Sequence, residues 1–205
     1  MKKRAAAVLV LAALWLAIAT DVLLGGPISH LDVIVADRIE GHGRSAFALV
    51  VLFWTHLHSH AAILSYSALF ALLLARRRQW AWFWSVVIGV PGGLLLNYLL
   101  KLAVERSRPV LDNPILALET YSFPSGHTAA ATLFYGVLAA YLISRYPAKR
   151  GWIVAAALVL IALVAYSRMY LGVHYLGDVL AALCSSAAWL ILCLSGVHAF
   201  FTRHR

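Results

Sequence analysis

Residues 167–178 read Ser-Arg-Met-Tyr-Leu-Gly-Val-His-Tyr-Leu-Gly-Asp, at the junction of two apolar runs that cover 151–170 and 175–200. A bilayer crossing takes about 20 mostly apolar residues. Both runs meet that length, so this polar stretch falls where two crossings turn back on each other. Four further windows qualify, at 5–24, 60–76, 80–102 and 126–145. None alternates polar and apolar residues as a barrel strand would, so the spans read as helices.

The expected fold is therefore all-α: a polytopic membrane bundle of six transmembrane helices forming a single domain over 1–205. The stretch 31–58 fits this less simply, because it mixes Asp32, Asp37, Arg38, Glu40 and Arg44 with a short apolar run at 46–54. It reads as interfacial or re-entrant helix between the first and second crossings. The apolar segment behind Lys2, Lys3 and Arg4 has the outline of a signal peptide, but no clean small-x-small cleavage site follows. A retained anchor is expected.

Composition agrees with a membrane protein. The 205 residues are 63% hydrophobic and 12% charged, against about 45–50% and 25% in soluble domains. The net charge of +9 invites a nucleic-acid reading, yet no basic stripe with interleaved aromatics lies outside the apolar segments, so no nucleic-acid partner is expected. Cys184 and Cys193 sit inside one apolar run and read as buried thiols.

Lysines and arginines set the orientation. Lys2, Lys3, Arg4, Arg76, Arg77, Arg78, Arg145, Lys149, Arg150, Arg203 and Arg205 all flank one side of a six-helix arrangement. That side is expected to be cytoplasmic, with both termini on it. The acidic residues fall on or near the opposite side, and a seventh crossing would break this sorting. The expected location is a bacterial inner or plasma membrane.

Three polar islands gather on the outer side. Lys101 and Arg108 are seven residues apart, two turns if the helix continues, with Pro109 marking a boundary. By themselves they read as a snorkelling lysine and a loop arginine. Ser125 is placed to cap a helix over 126–145, Gly126 lets an anion approach the backbone, and His127 follows in the first turn. The plain alternative is an ordinary helix start with an interfacial histidine. His174 and Asp178 are spaced to meet on one helical face, where a carboxylate fixes one imidazole nitrogen and aims the other outward. Arg168 lies six residues earlier across Gly172. Ionisable groups at membrane depth have function as their default reading, and three such islands reinforce one another.

Lys-x6-Arg-Pro over 101–109, Pro-Ser-Gly-His over 124–127 and Ser-Arg-x5-His-x3-Asp over 167–178 together resemble the signature of the type 2 phosphatidic acid phosphatase superfamily, which includes the vanadium haloperoxidases. Every motif position is present, over a core of 101–178. Ser107 stands where proline is frequent and Ala182 where glycine is common. The resemblance implies an enzyme that hydrolyses a phosphorylated lipid in the outer leaflet, with no cofactor and no metal. It implies that Lys101, Arg108, Ser125, Gly126 and Arg168 bind the phosphoryl group. His174 would be the nucleophile that becomes phosphohistidine, Asp178 its orienting partner and His127 the general acid. Undecaprenyl diphosphate is the first substrate expected, followed by phosphatidylglycerophosphate, phosphatidate and lipid A phosphate. A lipid phosphotransferase would use the same residues, whereas a non-enzymatic scaffold would have no need of them.

Secondary candidates are Arg106, for a second phosphate or the headgroup zone, and Asn97, for a bond to Lys101 or for packing. Pro91-Gly92-Gly93 reads as a packing site. His56, His58 and His60 read as solvated interfacial residues rather than a zinc site. Asp112 and Glu119 are placed to exclude or orient headgroups. Oligomeric state is not legible.

Overall fold

The computed structural model describes residues 2–39, 45–109, 116, 118 and 120–203. Glu40, Arg44, Asp112, Glu119 and Arg205 lie outside the described residues. Eight α-helices follow in order: α1 (Lys2–Leu24), α2 (Pro27–Ile39), α3 (Ala46–Leu57), α4 (His60–Arg76), α5 (Trp80–Val104), α6 (Gly126–Arg145), α7 (Arg150–Tyr170) and α8 (Leu176–Arg203). A short 3-10 turn, Pro147–Lys149, joins α6 to α7. No strand occurs among the described residues.

Five units are long and apolar enough to span a bilayer: α1, α5, α6, α7 with its preceding turn, and α8. A sixth is reached only if the bent pair α3–α4 counts as one span. The expected window at 60–76 forms α4, but α4 passes the length test only together with α3, to which it is bent by 45°. The break has a local cause. Ser59 Oγ accepts from the Ala62 N–H (3.3 Å), starting a new helix two residues after α3 ends. The run at 46–54 thus forms α3, one arm of a bent pair that is either a broken span or a re-entrant loop, and α2 is the helix between α1 and that pair.

Half of the α6 span is buried, against 11% for α1. So α6 is the central post and α1 a peripheral helix. Around α6 pack Ile63, Ala71 and Leu74 of α4, Val86 and Val90 of α5, and Leu190 of α8, against Leu133, Phe134, Val137 and Tyr141 of α6 itself. Outward faces carry exposed Leu9, Leu16, Leu69, Leu95, Leu158 and Leu192. An outer surface so apolar belongs in lipid, where helices satisfy their own backbone.

α5 runs unbroken through Pro91, and the glycines after it serve close packing. A Cβ at Gly93 would stand 2.5 Å from Leu133 Cδ2 and 2.9 Å from Trp189 Cδ1. Small residues at such crossings let membrane helices approach. Gly93→Val is expected to lower stability by about 1–3 kcal/mol through overpacking, read as a fall in melting midpoint in detergent. An unchanged midpoint would show that the α5–α6–α8 junction is looser than this.

Candidate active site

Four helix ends meet on one side of the bundle: the C-termini of α5 and α7 and the N-termini of α6 and α8. Between them opens a cavity of about 540 Å³, lined by His60, Tyr98, Lys101, Leu102, Arg108, Leu118, Thr120, Tyr121, Gly126, His127, Arg168 and His174. This is a fitting size for a small polar headgroup.

Lys101 and Arg108 reach the cavity by a different route from two helical turns. α5 stops at Val104, and Glu105 takes a left-handed conformation (φ 50°) while its N–H still bonds Lys101 O at 3.1 Å. The following segment is held by the Ser122 N–H on Arg106 O (2.7 Å). Lys101 Nζ donates to Tyr121 O (2.6 Å) and Ser122 O (3.2 Å). Arg108 donates to Thr120 O (2.6 Å), Thr120 Oγ1 (2.9 Å), Tyr121 O (3.1 Å) and Val173 O (2.6 Å). Both cations therefore clasp the backbone of 120–122 while their heads line the cavity.

The turn after α7 places Arg168 and His174 together. The Val173 N–H bonds Arg168 O (3.2 Å) and the Gly172 N–H bonds Met169 O (2.9 Å), with Gly172 at φ +64°. This is a Schellman closure, and its left-handed residue favours glycine. Arg168 is only 2% exposed, and its NH1 donates to Thr55 Oγ1 (2.7 Å) at the α3–α4 break. Its Nε has no hydrogen-bond partner among the described residues. A buried guanidinium with an unmet donor, beside a cavity, is suited to an anion.

His174 precedes α8 rather than lying on it, so its meeting with Asp178 is made at a helix start. Its Nδ1 is 3.3 Å from Asp178 Oδ2 and 3.3 Å from Ser122 Oγ. The opposite nitrogen, Nε2, stands 3.4 Å from Arg108 NH1, at the cavity. Asp178 also accepts from the Tyr175 N–H (2.9 Å), from Ser122 Oγ–H and from Arg106 NH1 (2.8 Å).

Two expected ligands sit differently. Ser125 is the first residue before α6, yet it makes no side-chain cap. It is fully buried, its Oγ accepts from Thr128 Oγ1 (3.0 Å), its N–H bonds Asp178 O (3.0 Å), and it is absent from the cavity lining. Gly126 does line the cavity, but the His60 ring is against it: a Cβ there would meet His60 Nε2 at 2.7 Å. The His60 and His127 rings are 5.3 Å apart.

Among the secondary candidates, Arg106 does not line the cavity; it is bound between two carboxylates, Asp32 (2.7 Å) and Asp178 (2.8 Å). Asn97 is buried, makes no bond to Lys101, has no partner for Nδ2 among the described residues, and packs beneath Gly126. His58 is not solvated: it is 4% exposed and joins Trp54 O (2.8 Å) to Tyr135 OH (2.8 Å). His56 is exposed and bonds Leu52 O (2.7 Å), and His60 belongs to the cavity. Among the described residues no group of three or more His, Cys, Asp or Glu is placed to hold a metal ion. Cys184 and Cys193 are free thiols.

Ser122 and Asp32 are residues of the site that the sequence did not single out, and His60, expected to be a solvated interfacial residue, lines the cavity. His60 had a local signal, a histidine beside a helix-capping serine. Ser122 and Asp32 had none, because their partners lie 52–145 positions away.

Burial is the largest influence on His174 and pulls its pKa down to about 3; Asp178 opposes this, while Arg168 and Arg108 reinforce it. Burial likewise lowers Arg108, against the pull of Asp178. Arg106 is raised: burial acts against its charge, but Asp178 and Asp32 outweigh it. For His174 the unfolded chain binds the proton near pH 6.5 and the folded chain only near 3. Between those values the unfolded state holds more protons, so this residue makes stability rise with pH. Wild-type protein is expected to lose more melting midpoint between pH 6.5 and pH 4 than His174→Asn. Equal losses would mean that His174 is not held neutral.

The sequence matches the PAP2 superfamily over residues 80–201. Over 91 residues the chain is 42% identical to phosphatidylglycerophosphatase B of Bacillus subtilis (strain 168); the aligned stretch covers 42% of this chain and 43% of that relative, less than half of its length. Its fold is similar to the crystal structure of a transmembrane PAP2-type phosphatidylglycerolphosphate phosphatase from Bacillus subtilis, with TM-score 0.77 and 26% identity over 100% of this chain and 98% of the other. Aquifex aeolicus LpxE shares the fold, with TM-score 0.64 and 21% identity over 80% of this chain and 95% of that one. Five to six candidate membrane spans, three motif islands on one cavity and a matching segment that reaches from α5 into the last turn of α8 agree: this integral membrane protein belongs to the PAP2 superfamily.

Proposed function

We propose that the chain is a phosphatase of lipid monophosphates, acting through His174. The observation that carries this reading is the cavity itself, where three cationic side chains and the free face of His174 share one wall. Phosphoryl transfer asks mainly for positioning and for positive charge that neutralises the three phosphoryl oxygens. Lys101, Arg108 and Arg168 supply that charge, and the unmet Nε donor of Arg168 adds a hydrogen bond.

The chemistry runs in two steps. With Nδ1 held by Asp178, the Nε2 lone pair of His174 attacks phosphorus, the P–N bond forms and the P–O bond to the lipid breaks. His127 gives its proton to the departing alkoxide, which leaves as the lipid alcohol. A water then loses a proton to His127 and forms a new P–O bond as the P–N bond breaks, releasing inorganic phosphate. Ser125 contributes here by fixing the α6 start against Asp178, and Gly126 by admitting the His60 ring to the cavity wall.

A monophosphate is favoured over undecaprenyl diphosphate because Arg106, the residue expected from sequence to hold a second phosphate, is occupied by Asp32 and Asp178 and does not line the cavity. A sequence match and a fold match, both in Bacillus subtilis and both named for phosphatidylglycerophosphate, support that lipid as the first substrate to test. The cavity is assigned to the periplasmic or extracellular side. Lys2, Arg4, Arg76–Arg78, Arg145, Lys149, Arg150 and Arg203 stand at the other ends of the same helices, and basic ends stay cytoplasmic.

Purified protein in detergent with EDTA is expected to release inorganic phosphate faster from phosphatidylglycerophosphate than from undecaprenyl diphosphate, phosphatidate or lipid A phosphate. Phosphate found on an acceptor lipid would make it a transferase instead. His174→Ala is expected to abolish turnover and the acid-labile phosphoryl label on the chain. His127→Ala is expected to slow kcat by about 10²–10⁴-fold with little change in KM. Normal turnover by well-folded His174→Ala would overturn the mechanism. Cytoplasmic reporters fused to the C-terminus are expected to be active, and inactivity there would reverse the orientation.

A further inference from the structure

Behind the cavity lies a buried ionic chain that the proposed mechanism does not use. Asp32, on the interfacial helix α2, is 1% exposed. Its Oδ2 accepts from Arg106 NH2 (2.7 Å) and its Oδ1 from the Gly177 N–H (2.7 Å), one residue before Asp178. Arg106 NH1 continues the chain to Asp178 Oδ1 (2.8 Å), and its guanidinium lies 4.2 Å over the Tyr175 ring. The two Asp178 oxygens are therefore served from different directions. Oδ2 takes Ser122, Tyr175 and His174, whereas Oδ1 takes Arg106.

The neighbourhood is built for this contact. A Cβ at Gly177 would stand 2.9 Å from Asp32 Oδ2, so glycine admits the carboxylate. The α1–α2 turn is tied by the Ser29 N–H on Asp21 Oδ1 (3.0 Å), which holds α2 where Asp32 faces the start of α8. An ion pair removed from water is an expensive device, and replacing one by apolar groups often stabilises a protein. A guanidinium spanning two carboxylates beside a reactive imidazole, 72 and 74 positions from its partners, points to orientation as its role.

We propose that Arg106 and Asp32 are positioning residues for His174, acting through Asp178: Asp32 aims the guanidinium, and the guanidinium fixes the carboxylate plane that holds imidazole Nδ1. Neither touches the phosphoryl group. The carboxylate–histidine arrangement is thus three residues deep, and it links α2 to the chemistry. This rests on the phosphatase reading of the same site, which it deepens.

The test compares Asp32→Asn, Arg106→Gln, Arg106→Lys and the double Asp32→Asn/Arg106→Gln variant with wild type. Three readouts are taken: kcat and KM on phosphatidylglycerophosphate, stoichiometry and Kd of inorganic phosphate by calorimetry, and the His174 imidazole 15N–1H signals. Loss of such supporting partners typically costs about 10- to 100-fold in activity. Arg106→Gln is expected to lose that much in kcat, with KM, phosphate Kd and phosphate stoichiometry unchanged. Asp32→Asn is expected to lose less, the double variant no more than Arg106→Gln, and Arg106→Lys to recover part of the loss. The hydrogen-bonded Nδ1–H signal of His174 is expected to weaken in step. Full kcat in Arg106→Gln, a loss that falls on KM or phosphate Kd, or a drop in phosphate stoichiometry matching the lost activity would each overturn the proposal. Should wild type hydrolyse none of the lipid phosphates, the functional reading fails, and the imidazole signal still decides whether the chain orients His174.

Discussion

The buried carboxylate of Asp178 is the constraint around which the rest is arranged. It has no exposed side-chain surface, and an ionised group so placed must have its lone pairs met by donors. Those donors come from separate parts of the chain. Ser122 lies on the segment before α6, Arg106 on the segment after α5, and His174 and the Tyr175 N–H on the turn before α8. The backbone oxygen of the same residue receives the Ser125 N–H at the start of α6. Satisfying one residue thus forces the ends of α5, α6 and α8 into register. That register creates the cavity.

Packing below the cavity keeps those ends from drifting. α6 is buried along half its span and touches helices on every side, while small residues on α5 admit Trp189 and Leu133 closely. Close-packed interiors deform little. The α3–α4 break is the exception to regular helix. There the chain turns by 45° and exposes Thr55 to Arg168 and His60 to Gly126 and His127. Irregular backbone within a membrane protein is tolerated where it is buried in protein or lines a cavity, and this break does both.

Charge is distributed by the same logic. Among the described residues Lys101, Arg108 and Arg168 face one cavity with no carboxylate in ion-pair contact, whereas Arg106 is paired with Asp32 and Asp178. An anion in that cavity would meet three cations with the rings of His60, His127 and His174 beside them. Two arginines only two positions apart in the chain thus have opposite surroundings, Arg106 between carboxylates and Arg108 on the cavity wall.

Much of this was legible before any fold was known. Apolar windows marked the helices because bilayer thickness imposes a length, and the positions of α6 and α7 follow their windows almost to the residue. Lys101, Arg108, His127, Arg168 and His174 could be picked out because ionisable side chains are rare inside such windows and at their ends, and all five line one cavity. Local spacing misled where the backbone changed conformation. Helix α5 ends at Val104, so seven residues are not two turns, and Ser125 caps nothing with its side chain. The roles of Ser122, Asp32 and His60, and the diversion of Arg106 from the cavity, were decided only by tertiary structure. The partners of their side chains lie from 52 to 145 positions away for Ser122, Arg106 and Asp32, and across a helix break for His60. Periodicity records which face a residue occupies on its own helix; which faces meet depends on how the helices pack.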